Sequence, residues 1–215
     1  MISARIADMK GKEGDRLVEE EMNRQKDEPP RKNGNRSSKT YDMVYIAIFV
    51  VLIIICSWIT VPVGAIPVTM QTFAIFLAMG VLGGKRGSMA VLVYLLIGCV
   101  GLPVFSGFQA GIGTLFSQTG GYLLGFLPAV LMMWLLEKMF GRKGRIQILG
   151  MISGLLICYG VGTVWFMLLY IRNTGEIGLG TVLTLCVLPF IIPDLIKISL
   201  AYILTGRLSR ALPFL

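Results

Sequence analysis

The stretch "IIPDLIKISL", residues 191–200, sets an aspartate, Asp194, and a lysine, Lys197, three residues apart in an otherwise apolar run. On a helix this spacing puts both side chains on one face. A carboxylate and an ammonium so placed can neutralise each other and brace neighbouring helices. They can also present acceptors and donors to a polar ligand. A charge at the centre of a membrane helix costs about 2.5–3.5 kcal/mol on insertion scales. Buried ion pairs seldom repay their desolvation, and ionisable groups inside a membrane mark functional sites by default. The ligand anchor is therefore the preferred reading, with the brace as its alternative.

Other polar groups stand alone in apolar surroundings: Gln71 and Thr72 in "IPVTMQTF", Gln109 in "SGFQAG", and Gln118 and Tyr122 in "SQTGGY". Singly, each reads as a capping or packing residue. Together they suggest an outward-facing pocket, with Trp58, Phe105, Phe108 and Trp165 as candidate apolar walls. Trp58 and Trp165 equally suit an interfacial aromatic belt. The chain has no histidine, and its four cysteines, Cys56, Cys99, Cys158 and Cys186, are widely separated in apolar runs. A disulfide framework or zinc site is not expected, and no cofactor is implied. "GVLGGKRG" lacks the spacing and hydroxyl of a phosphate-binding loop. These absences argue against an enzyme and against ATP hydrolysis by this chain alone.

The elements that must position these groups follow from charge distribution. The chain has 215 residues, 55% apolar and only 15% charged. Soluble domains carry roughly 25% charged residues. Residues 1–40 hold ten basic and eight acidic side chains, leaving ten basic and four acidic for the other 175. The expected organisation is a polar, disordered cytoplasmic tail over 1–40, with a short helix near 14–26, and a membrane domain over 41–215. Apolar spans are predicted at 43–61, 67–84, 87–101, 120–139, 147–171 and 180–206, with a tight turn at "PVGAIP". Basic residues fall in the tail, at Lys85 and Arg86, at Lys138, Arg142, Lys143 and Arg145, and at Arg207 and Arg210; Arg172 alone lies on the other side. The positive-inside rule then puts both termini in the cytoplasm. The fold class is an all-α integral membrane protein, a compact bundle of six transmembrane helices in a multi-pass arrangement, with the lipid bilayer and no nucleic acid as its surroundings.

Two finer expectations bear on the pocket. The uncharged loop "LPVFSGFQAGIGTLFSQTGGY" is expected to fold back over the outer mouth of the bundle, where non-helical backbone can line a cavity; lying in the headgroup region is its alternative. Pro189 and Pro193 are expected to break the sixth span near 189–193, with helix restarting at Pro193 and Asp194 in its first turn, where the helix dipole favours an anion. Glycine pairs at Gly80/Gly84, Gly121/Gly125 and Gly150/Gly154 permit close helix crossings.

The motifs I-P-V-x-x-Q-T from Ile66, G-L-P-V-F from Gly101, T-G-G-Y from Thr119 and D-x-x-K from Asp194, in this order, resemble the BioY family over about residues 43–208. Members are the biotin-binding S components of energy-coupling-factor (ECF) transporters in bacterial cell membranes. The resemblance implies a six-helix bundle that captures biotin from outside and works with a membrane-embedded coupling subunit and ATPase subunits. It implies Asp194 and Lys197 as ligand contacts, with the outer loop and the start of the fourth span closing the pocket. A self-sufficient secondary transporter or facilitator for a small organic anion is the competing reading.

Overall fold

A computed structural model describes residues 34–61, 66–175 and 178–211. The predicted tail disorder and the helix near 14–26 lie outside these residues, as does most of the "PVGAIP" turn. The chain divides into two units, Met1–Tyr41 and Asp42–Leu215. The described part of the first, from Gly34, is helical.

In chain order the elements are α1 (Gly34–Trp58), β1 (Thr60–Val61), β2 (Val68–Thr69), α2 (Gln71–Leu82), α3 (Gly84–Val100), a 3-10 turn at Ser106–Phe108, α4 (Ile112–Leu115), α5 (Gly120–Phe140), α6 (Gly144–Thr174), α7 (Leu179–Cys186) and α8 (Leu188–Ala211). Helices dominate because backbone groups out of reach of water must be paired within the segment. The two short strands pair antiparallel, Thr60 opposite Thr69. Among the described residues, four segments are long and apolar enough to cross a membrane: Lys39–Trp58, Gly120–Phe140, Gly144–Asn173 and Leu179–Arg210. Helices α2 and α3 are shorter, about 18 and 25 Å at 1.5 Å per residue.

Helix α2 is buried on nearly every side, from Phe73 through Leu82, so its continuous apolar sequence is that of a central helix. It packs along α8 and against α3, while α5 and α6 form the most extensive helix pair. Gly83, at φ 81°, turns the chain between α2 and α3. That turn consumes two of the few charges in the membrane domain. The Glu137 carboxylate accepts the Gly84 N–H at 2.7 Å, and Arg142 Nη2 donates to the carbonyls of Gly80 and Val81. Both ends exposed by the turn are thereby capped.

The glycine pairs resolve into different roles. A Cβ on Gly121, Gly125 or Gly154 would press on the partner helix of the α5–α6 pair. Gly80 and Gly84 do not share a partner: Gly80 faces Thr205 and Gly84 faces Trp134.

Three expectations are corrected. The first helix begins at Gly34, well before 43, and ends at Trp58. Seven helices of eight residues or more are seen among the described residues, because the sixth apolar stretch is two helices. Its break falls at Val187 (φ −124°), not at 189–193. Pro189 takes the second position of α8, where no N–H is required, and the helix runs on through Pro193. Only one internal backbone bond is lost there. Asp194 is consequently not in a first turn, and no acidic residue is. Its charge is stabilised by side chains and not by the helix terminus.

Candidate functional site

A cavity of about 320 Å³ opens among α2, α5, α6, α8 and the segment between α3 and α5, within the range of small-molecule sites, roughly 300–1,000 Å³. Asp194 and Lys197 line it, 3% and 5% exposed. Lys197 Nζ lies 2.7 Å from Asp194 Oδ1. The same oxygen accepts the Thr72 hydroxyl at 3.3 Å, and Oδ2 accepts the Tyr159 hydroxyl. One carboxylate thus ties α2, α6 and α8 together. It has about four acceptor positions, and three are used among the described residues; the ammonium has three N–H donors, and one is used among them. The free hydrogen-bonding capacity of the pair lies mainly on Lys197.

Gln71, 2% exposed, lines the cavity and donates its amide to the Tyr94 hydroxyl at 2.9 Å. Tyr94 in turn donates to the Val104 carbonyl at 3.2 Å, which also receives Ser57 Oγ at 2.6 Å. This chain fixes the G-L-P-V-F segment against α1 and α3 and seats Phe105, fully buried, in the cavity wall, edge-on to Tyr94 at 5.7 Å. Tyr122, near the start of α5, also lines the cavity and donates to the Cys186 carbonyl at 3.3 Å, at the break between α7 and α8. Its ring lies where a Cβ on Gly162 would stand, 2.4 Å from Cδ1. Any side chain at 162 would displace it.

The loop expected over the mouth supplies lining residues: Phe105, Ser106, Gln109 and Thr114. Its tip is fastened outside the cavity. Trp58 Nε1 donates to the Pro103 carbonyl at 3.0 Å, and its ring stacks on Phe108 at 5.0 Å. Phe108 has φ 59°, a left-handed conformation uncommon for a bulky residue, and this stack holds it.

Of the expected site residues, Asp194, Lys197, Tyr122, Gln71 and Gln109 come together on the cavity, and Gln118 does not. It lies exposed in the turn before α5, outside the lining. Of the four candidate walls only Phe105 is one. Trp58 and Phe108 stack on each other, and Trp165 packs under Gly121 and donates to the Ser117 carbonyl at 3.1 Å. Sequence reasoning missed Tyr159. A tyrosine in a long apolar span is ordinary, and only the approach of α6 to α8 pairs it with Asp194. Phe126, Leu155 and Phe190 complete the apolar walls. The site therefore suits a small ligand with an apolar body and a polar group that a buried ammonium can meet.

The chain matches the BioY family over residues 28–214. It is 36% identical over 171 residues to a probable biotin transporter BioY of Pyrococcus horikoshii, covering 80% of this chain and 98% of that one. It is 36% identical over 169 residues to the biotin transporter BioY of Thermotoga maritima, covering 78% and 95%. The fold superposes on the crystal structure of an S component for biotin from an ECF-type ABC transporter, with TM-score 0.72, 25% identity, and 81% and 93% coverage.

Proposed function

The chain belongs to the BioY family, and from that membership we propose that it is the multi-pass membrane subunit that takes up biotin, holding it in the cavity between α2, α5, α6 and α8. The observation that carries this reading is the buried Asp194–Lys197 pair, with spare ammonium donors, on a cavity that also has apolar walls. Biotin has an apolar ring and chain, a ureido group and a carboxylate, and so needs both surfaces. The relatives are transporters, and the site offers polar anchoring without a nucleophile–base pair or a phosphate loop. Movement of the ligand across the membrane then falls to partners: a membrane-embedded coupling subunit driven by ATPase subunits. The test is chemical. Protein purified in detergent from cells grown with biotin should carry biotin through gel filtration, identified by mass spectrometry of the denatured extract. Recovery of a different small molecule, or of none while added biotin fails to bind, would overturn the ligand assignment.

The same reading takes the bundle as six spans, α1, α2, α3, α5, α6 and α7 with α8 together, both termini cytoplasmic and the cavity outward. The basic residues at the start of α3 (Lys85 and Arg86), around the α5–α6 turn (Lys138, Arg142, Lys143 and Arg145) and in the last turns of α8 (Arg207 and Arg210) support it. In a cysteine-free background, Ile112→Cys should react with an impermeant thiol reagent in intact cells, and Lys143→Cys should react only after lysis. Both positions are exposed. The opposite pattern would reverse the orientation.

A further inference from the structure

A second cleft lies further along α8, away from the cavity. It measures about 640 Å³ and opens between the end of α2, the start of α6 and the last turns of α8. Lys197 and Arg207 stand ten residues apart on α8, about 15 Å along a helix. Arg142, Arg207 and Arg210 line the cleft with Gln147, Tyr202 and Ser209, and no lining residue is acidic. Arg142 has its Nη2 committed to the carbonyls of Gly80 and Val81. Arg207 and Arg210 are exposed and pair with no carboxylate among the described residues.

Thr205 borders the cleft and is 2% exposed; its hydroxyl packs toward Gly80 of α2 and belongs to the helix contact, not to the cleft. Beside these groups the surface is apolar: Ile203 is 53% exposed, and the Tyr202 ring is partly exposed. An arrangement of guanidinium forks and an apolar flank at a helix end suits one chemistry.

We propose that this cleft binds a phosphate group, and that in the membrane the group is the headgroup phosphate of an anionic phospholipid. Guanidinium forks match phosphate oxygens bidentately. Tyrosine at the end of a membrane helix sits at headgroup level. Basic pockets between membrane helices are suited to anionic headgroups. The cleft is larger than an inorganic phosphate requires, and its exposed apolar flank gives an acyl chain a place to lie. The bound lipid would join the ends of α2, α6 and α8 and leave the biotin cavity untouched.

The test compares phosphatidylglycerol, phosphatidylcholine and inorganic phosphate as stabilisers of the detergent-purified full chain in thermal melts. Phosphatidylglycerol should raise the melting temperature saturably and phosphatidylcholine should not. Arg207→Gln with Arg210→Gln should weaken the phosphatidylglycerol response about 30-fold, about 1 kcal/mol per arginine at 1.4 kcal/mol per decade. Biotin affinity should be unchanged. Lys138→Gln with Lys143→Gln removes equal charge outside the lining and should keep the response; equal loss in this control would reduce the effect to general attraction and overturn the site. Protection by inorganic phosphate equal to that by the lipid, and lost in the arginine variant, would overturn the lipid assignment. Should the arginine variant not fold, native mass spectrometry of the unmodified chain decides. Preferential retention of one phosphatidylglycerol over phosphatidylcholine supports the site, and indifference overturns it.

Discussion

Lys197→Ala is expected to weaken biotin binding at least about 30-fold. Removing one partner of a buried, hydrogen-bonded charge pair costs about 2–5 kcal/mol, and 1.4 kcal/mol is a decade in affinity. In this site the loss has two parts. The ammonium carries the unused donors of the pair, and its removal leaves the Asp194 carboxylate with the Thr72 and Tyr159 hydroxyls as its side-chain partners among the described residues. Asp194→Ala should act comparably, because it leaves a buried ammonium unpaired and removes the polar link of α2 and α6 to α8. Titration calorimetry on protein whose melting temperature is checked separates binding from folding. The deciding variant is Asp194→Asn with Lys197→Met. It removes both charges at similar volume, and the asparagine amide can accept from one of the Tyr159 and Thr72 hydroxyls and donate to the other. A pair that only braced the bundle should tolerate this change; a pair that anchors biotin should stay defective. Wild-type affinity in that double variant would make the pair a brace and nothing more. Gln118→Ala, exposed and outside the lining, should bind as the unmodified chain does.

Gly121→Val is expected to be among the most damaging single changes to stability outside the site. A Cβ at 121 would lie 2.2 Å from Trp165 Cβ and 2.5 Å from Cγ. The obstructing atom is the root of the tryptophan and not a flexible end, so helix must move. Overpacking costs about 1–3 kcal/mol and occasionally more; this contact joins the two most extensively packed helices and should reach the top of that range. At roughly 2–4 °C per kcal/mol for a chain of this size, the melting temperature should fall by about 10 °C. Gly160→Ala is the matched comparison, since nothing lies within 4 Å of its Cβ. It should be neutral or mildly stabilising, because alanine favours helix. Equal melting temperatures for the two variants would mean that α5 and α6 do not meet as described.

Charge was the most legible part of this chain. Asp194 and Lys197 stand out because an apolar environment makes each ionised group expensive, so its position carries information. Gln71 and Thr72 were visible for a weaker version of the same reason. Tyr159 was not, because a phenol is half apolar and commonplace in a membrane helix; its role exists only through the packing of α6 beside α8. Gln118 was misplaced because its neighbours in sequence, Thr119 and Tyr122, do line the cavity, while the turn at 117–119 points it outward. The apolar spans and an interruption of the sixth were readable from length, hydropathy and proline, but the position of the break before α8 was not. Proline marks where a helix does not need an N–H, and both Pro189 and Pro193 meet that condition. Backbone at Val187 decided between them. Trp58 and Phe108 illustrate the same limit: each has the size of a cavity wall, and only the third dimension turned them toward each other.

Helices α2 and α8 run in the same direction and are joined at two heights. Thr72 meets Asp194 near the cavity, and Gly80 meets Thr205 at the far end, where a Cβ on the glycine would stand 2.2 Å from the threonine Oγ1. In mechanical language the pair is a braced beam with two joints. Sliding one helix past the other by a turn, about 5.4 Å, would break the first joint and drive backbone into side chain at the second. Tilting both together strains neither. The two joints therefore oppose sliding of α8 along α2 and hold the α8 wall of the cavity at a fixed spacing from the α8 wall of the basic cleft.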